Sequence, residues 1–123
     1  MKLRLHGNSV RLRLNQAEVA QFSKTGFVED SVHFGHGECL TYALESLSDL
    51  PGPRAAYRGG SLRVQIPSAA ATEWSTTDRV GVSGEQPLGN GKHLSILVEK
   101  DFQCVHGERD PKAFQNPLVE TGR

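Results

Sequence analysis

Hydrophobic and polar residues alternate along two short stretches at the start of the chain. The stretches read "KLRLH" and "SVRLRL", and Gly7-Asn8 separates them. Alternation with a period of two is typical of a strand with one buried face, and a Gly-Asn pair favours a tight two-residue turn. The pattern therefore predicts that the chain opens with a β-hairpin.

The period of the pattern changes after this hairpin. Asn15 stands where a helix cap belongs, and Glu18 follows three residues later, as in a capping box. Apolar residues then fall at helical spacing as far as Phe22, and Gly26 is suited to end a helix. Alternation returns in "FVEDSVHF" and "LTYALESL". The pattern predicts the order strand, strand, helix, strand, strand, or ββαββ.

The same pattern occurs twice. Positions 7–28 align with positions 59–80 at a spacing of 52 residues without a gap. Average composition would supply only about one or two identities by chance. The observed identities are Gly7/Gly59, Ser9/Ser61, Arg11/Arg63, Ala17/Ala69, Ser23/Ser75, Thr25/Thr77 and Val28/Val80. Such a repeat indicates one supersecondary unit used twice.

The second copy has its own hairpin, helix and strands. "AAYR" and "SLRVQI" flank Gly59-Gly60, and "RVGVS" and "LSILVEKDF" predict the last two strands. The glycine-rich "GVSGEQPLGNGKH" is interpreted as a long flexible loop. Trp74 stands where Phe22 stands in the first copy, so both are predicted to be buried anchors of short helices.

These elements predict an α+β fold built from an internally duplicated ββαββ unit. Its eight antiparallel strands are expected to form a barrel-like sheet with two short helices, because closure removes edge strands that invite aggregation. The alternative is a pair of packed sheets. Residues 1–107 are predicted to be a single domain of two repeats, 1–50 and 54–107, followed by a C-terminal tail, 108–123.

Composition limits the partners and the compartment. Fourteen basic and fourteen acidic residues give a net charge of zero, so no overall field attracts nucleic acid or an anionic membrane. No apolar stretch is long enough to span a bilayer, and the first residues lack the apolar core of a signal peptide. A cytoplasmic protein without a membrane partner is expected, and its two cysteines are predicted to be free thiols.

Three resemblances add to this interpretation. "MKLRLHGNSVRLRL", "LVEKDFQC" and "FQNP" resemble a family of small bacterial proteins of unknown function, which implies no activity.

The duplicated order of elements is similar to the CYTH-like triphosphate tunnel enzymes. Their first strand reads Glu-x-Glu-x-Lys and its carboxylates hold a divalent metal, whereas this chain reads Lys2-Leu3-Arg4-Leu5-His6. "SLRVQIPSAAATEWSTTDRVGV" resembles AbrB-type swapped-hairpin regulators of DNA, but its helix lacks basic residues, so DNA is not an expected partner.

Arginines occupy the polar positions of the predicted hairpin strands. They would form a phosphate- or carboxylate-binding groove if those positions faced a lumen. They would cover a solvated face if Leu, Val and Ile filled the interior, and the greater uniformity of these apolar positions favours that arrangement. The candidate ligand-binding residues are Arg4, Arg11, Arg13, Arg58 and Arg63.

Imidazole and thiol groups in two short segments form a candidate metal site. His33, His36 and Cys39 lie together in "HFGHGEC", while Cys104 and His106 lie in "CVH". Zinc prefers these ligands, so zinc or another divalent metal is the candidate cofactor, although the spacing matches no standard pair of Cys-x-x-Cys knuckles. Turn histidines and buried thiols, with no cofactor, are the alternative.

The leading functional hypothesis is a non-enzymatic binding or interaction module, with a small anion or a protein as its partner. The alternative hypothesis is a tunnel protein that binds phosphate or a polyanion. A metal-dependent phosphohydrolase is one form of this alternative. No residue is assigned a catalytic role.

Overall fold

The structure, a computed structural model, describes residues 1–102. Within them the chain forms the order ββαββ twice, as the hydrophobic pattern predicts. The elements are β1 (Lys2–His6), β2 (Ser9–Leu14), α1 (Gln16–Thr25), β3 (Phe27–Gly35), β4 (Glu38–Leu47), β5 (Arg54–Arg58), β6 (Ser61–Pro67), α2 (Ser68–Thr76), β7 (Gly81–Gly89) and β8 (Lys92–Lys100). The residues from 103 onward, including the predicted tail, lie outside this description.

The strands form two sheets of four strands each. Sheet A has the order β1-β2-β8-β7, and sheet B has the order β3-β4-β6-β5. Each sheet therefore combines the first hairpin of one repeat with the second hairpin of the other. The two hairpins of a sheet meet along a parallel pair, β2 with β8 in sheet A and β4 with β6 in sheet B.

The predicted barrel-like sheet of eight antiparallel strands is therefore wrong. Two of the six strand pairs in residues 1–102 are parallel, and the two sheets do not close into a barrel. Strand β5 does approach β7 of the other sheet. However, the Ala55 amide donates to Oε1 of Gln86 at 2.8 Å. A side chain thus accepts the bond that a backbone carbonyl would accept in a closed barrel.

The gapless alignment of the repeats holds only as far as the helices. One residue separates α1 from β3, whereas residues 77–80 separate α2 from β7. The equivalent of Val28 is therefore Val82, and both are buried. Val80, which the gapless alignment pairs with Val28, is 54 % exposed.

The segment interpreted as a flexible loop is instead strand. "GVSGEQPLGNGKH" forms β7, a tight turn and the start of β8. Gly89, Asn90 and Gly91 all have positive φ angles at the turn, whereas Gly81 and Gly84 lie within β7. Pro87 is tolerated because β7 is an edge strand of sheet A.

Helix α1 begins and ends where local chemistry requires. Oδ1 of Asn15 accepts from the Glu18 amide and Oε1 of Glu18 accepts from the Asn15 amide, both at 2.9 Å. Gly26 ends α1 in the left-handed region, with φ at 73°. None of the helices in residues 1–102 has the length and apolarity needed to cross a membrane.

The core lies between the two sheets and under the helices. Phe22 of α1 and Trp74 of α2 are buried, which confirms them as anchors. Their rings meet edge to face with centroids 5.9 Å apart, and Nε1 of Trp74 donates to the Val80 carbonyl at 2.9 Å. This contact joins the two repeats at the helical end of the molecule.

We expect Phe22→Ala and Trp74→Ala each to lower the free energy of unfolding by about 3–5 kcal/mol, because each leaves a cavity between the repeats. Denaturant melts measure the loss. Phe102→Ala is the control, since Phe102 is exposed. Near-native stability of both helix variants would show that the repeats do not depend on this contact.

Gly84 provides a second test of the packing between sheets. A Cβ atom at this position would lie 2.8 Å from Cδ of Pro53, whose ring cannot rotate away. Gly84→Ala should therefore cost about 1–3 kcal/mol through overpacking. Gly52→Ala is the control, because nothing lies within 4 Å of a Cβ there. Equal melting temperatures for the two variants would contradict the close approach of Pro53.

Candidate functional site

The five arginines of the predicted anion site fall into two groups. Arg4, Arg11 and Arg13 alternate with the inward-facing apolar residues of β1 and β2, so they lie on the outer face of sheet A. Arg58 and Arg63 lie in the same way on the outer face of sheet B. The apolar core lies between the two groups, so the structure does not bring all five together.

Three of these arginines are paired with carboxylates across the parallel strands. Nε of Arg11 lies 3.0 Å and Nε of Arg13 3.5 Å from Oε2 of Glu99. Nη1 of Arg63 lies 3.6 Å from Oε2 of Glu45, the equivalent pair in sheet B. Oε2 of Glu99 has no hydrogen bond of good geometry within the described chain, so these contacts are ion pairs. They partly neutralise the charges that an anion would need.

The outer face of sheet A carries the densest group of cations. Lys2 lies opposite Arg13, and Arg4 lies opposite Arg11 across the β1–β2 ladder. Directly opposed like charges are destabilising unless an acid compensates. Nζ of Lys2 lies 2.8 Å from Oδ2 of Asp101, and this hydrogen bond lowers the pKa of Asp101. Together Glu99 and Asp101 compensate three of these four cations, Lys2, Arg11 and Arg13.

The predicted zinc ligands are only partly described. His33 and Cys39 are partners in the β3–β4 ladder, and His36 lies in the turn between these strands. No group of three or more His, Cys, Asp or Glu residues in positions 1–102 is arranged to hold a metal ion. Cys104 and His106 lie outside the described residues. The five-residue zinc site stays a prediction.

The described part of the chain has an apolar surface at one end that no other described element covers. Each helix connects the second strand of one hairpin to the first strand of the next. Both helices consequently lie at one end of the strands, and all four hairpin turns lie at the other. The inner faces of the sheets are open at the end that carries the turns.

An apolar groove of about 350 Å³ opens at this end, and we call it the mouth. Its lining comes from both sheets and is repeated by the internal duplication. The equivalent lining pairs are Leu3/Ala55, Leu5/Tyr57, Val10/Leu62 and Leu40/Leu94. The mouth therefore lies where the two repeats face each other.

Large apolar side chains are exposed around the mouth. Leu5 is 62 % exposed and Tyr57 is 67 % exposed, although both face inward from their strands. The β3–β4 and β7–β8 hairpins extend beyond the first residue pairs of the parallel ladders. Val32, Phe34 and Leu88 are exposed on these extensions.

A second, polar pocket of about 720 Å³ adjoins the mouth, and we call it the flank pocket. Tyr57 and Leu40 line both cavities, so the two surfaces are continuous. Phe34, Glu29 and Glu38 also line the flank pocket.

The sequence pattern could not identify this surface. Leu5 and Tyr57 stand in the apolar positions of alternating strands, which predicts burial. The feature of the sequence that does indicate this surface is the unequal length of the hairpins. The alternation in "FVEDSVHF" extends further than that in "KLRLH", which indicates strands that extend past their neighbours.

In residues 1–102, the fold and the mouth define a duplicated α+β protein of two sheets, with no described element over its apolar end. A family model described as a family of unknown function, DUF7009, matches residues 1–118. The chain belongs to this family, as the resemblance to proteins of unknown function implies. No curated protein and no solved structure matches the chain. The likenesses to CYTH-like enzymes and AbrB-type regulators are not confirmed.

The separation of the arginines predicts weak binding of a compact polyanion. We expect tripolyphosphate to bind no more tightly than millimolar at physiological salt, because three of the five arginines already face carboxylates. Isothermal calorimetry measures the affinity. Micromolar binding that Arg11→Ala abolishes and Arg58→Ala leaves intact would place an anion site on sheet A.

Proposed function

We propose that this protein is a non-enzymatic interaction module that binds an apolar segment of a partner protein at the mouth. The observation that carries the proposal is the exposure of Leu5 and Tyr57 on either side of an apolar groove. Uncovered apolar patches on soluble domains mark interaction surfaces. A partner that covers both side chains would remove this apolar area from water.

The form of the surface favours a peptide segment over a compact ligand. The groove lies at the small end of the range for ligand pockets, roughly 300–1,000 Å³. Exposed Phe34 and Leu88 extend the apolar surface beyond the groove along the projecting hairpins. An extended chain can place one side chain in the groove and cover its flanks at the same time. Aromatic residues such as Tyr57 and Phe34 are also frequent binding hot spots.

The chemistry of the lining supports binding rather than catalysis. Tyr57 is the one titratable side chain among the residues that line the mouth in the described part of the chain. The remaining lining residues are Leu, Val and Ala. These side chains supply neither a nucleophile nor a general base.

Selection from a displayed library of random short peptides tests the proposal. We expect the native protein to enrich peptides with a large apolar residue. The Leu5→Ser/Tyr57→Ser variant should bind them at least about tenfold more weakly, because two apolar contacts are lost. Isothermal calorimetry with individual enriched peptides gives the affinities.

The matched control carries serine at two exposed apolar positions of the opposite end. Val80→Ser/Phe102→Ser should leave peptide affinity unchanged, since neither residue lines the mouth. All three proteins should melt cooperatively at similar temperatures. No enrichment by the native protein, or equal affinity in the Leu5→Ser/Tyr57→Ser variant, would overturn the proposed function.

A further inference from the structure

We propose that the mouth holds its partner segment in one orientation, with a lysine or arginine side chain of the partner in the flank pocket. This inference rests on the proposed function and adds the chemistry and direction of the bound segment. Phe34, Tyr57, Glu29 and Glu38 form the relevant part of the pocket.

Continuity of the two cavities makes a joint site possible. Tyr57 and Leu40 form the ridge between the mouth and the flank pocket, because both residues line both cavities. An apolar side chain in the mouth would therefore place the neighbouring residues of the same segment beside the pocket.

The charge of the flank pocket is acidic. Glu29 and Glu38 are the charged residues that line it, and both are exposed. Neither forms an ion pair with another residue in positions 1–102. Arg58, which follows Tyr57 in the chain, does not line the pocket. The uncompensated carboxylates favour a cationic group of the partner.

The two aromatic residues of the flank pocket also favour a cationic side chain of the partner. Phe34 is 66 % exposed and lines the pocket together with Tyr57, so both rings are accessible. A Lys or Arg side chain can lie over an aromatic face while its apolar stem covers neighbouring carbon atoms. The chain already contains such a contact, since the Arg63 guanidinium lies 5.8 Å from the centroid of the Phe27 ring.

The other repeat lacks this chemistry at the equivalent positions. Leu88 corresponds to Phe34, and Leu5 corresponds to Tyr57. Ser83 corresponds to Glu29, and Lys92 corresponds to Glu38.

The centre of the mouth is thus apolar in both repeats, whereas its two flanks differ in charge. One flank has two carboxylates and two aromatic rings. The other has aliphatic residues, and its charged residues Lys92 and Glu85 have opposite signs. A segment with one basic residue near its apolar residue would therefore prefer one of two otherwise similar orientations.

Peptides enriched by the displayed library provide the probe. We expect them to carry Lys or Arg at a constant spacing on one side of the apolar residue. Glu29→Gln/Glu38→Gln should lower the affinity for such a peptide about five- to tenfold at low salt, because a charge-assisted contact is lost. The peptide with Gln in place of the basic residue should bind both proteins equally.

Two control variants separate this contact from general electrostatics. Glu85→Gln removes an exposed carboxylate from the outer face of sheet A and should leave affinity unchanged. Lys92→Gln removes the cation of the opposite flank and should not reproduce the loss. Weaker binding by Glu85→Gln of a size similar to that by Glu29→Gln/Glu38→Gln, together with tighter binding by Lys92→Gln, would show a long-range charge effect and overturn the inference.

The outcomes distinguish the two proposals. In one outcome, Leu5→Ser lowers the peptide affinity, but the peptides show no preference for a basic residue and bind Glu29→Gln/Glu38→Gln as tightly as the native protein. The orientation inference then fails and the interaction function stands. Leu5 lines the mouth and does not line the flank pocket, so this variant tests the mouth alone. If Leu5→Ser has no effect, or no peptides are enriched, both proposals fail.

Discussion

The parallel pairing of β2 with β8, and of β4 with β6, is the interaction on which the rest of the structure depends. Each pair joins a hairpin of one repeat to a hairpin of the other. An isolated two-stranded hairpin is marginally stable in water, so a repeat without its partner would lack a complete sheet. Ion pairs of Glu99 and Glu45 cross the same parallel junctions and link the repeats there. Each of the two sheets therefore contains strands of both repeats.

The same pairing explains why one end of the molecule is covered and the other is open. Each helix passes from one sheet to the other, α1 from sheet A to sheet B and α2 in the reverse direction. Their contact through Phe22 and Trp74 closes that end with aromatic side chains. Among residues 1–102, the opposite end has only short turns between strands, which are too small to cover the inner faces. The apolar mouth is a direct consequence of this connectivity.

Divergence between the repeats is concentrated where packing does not restrict the side chain. Core positions keep their apolar character, as Leu12/Val64 and Val28/Val82 show. Flank positions change charge, as Glu38 and Lys92 show. The sequence-based site hypotheses concerned arginines and metal ligands because their chemistry is visible in the side chains themselves. The mouth consists of ordinary leucines and a tyrosine, which the pattern assigns to the core.

By itself the sequence determined what depends on neighbouring residues: the capping box of Asn15 and Glu18, the order of helices and strands, and the strand positions that face inward. It did not determine strand partners, because a period of two is the same in parallel and antiparallel pairs and in open and closed sheets. Only the tertiary structure decided that the repeats exchange hairpins and that residues 77–80 shift the alignment. It also decided that Leu5 and Tyr57 remain exposed, since burial depends on whether another element covers a side chain, and local pattern carries no information on that.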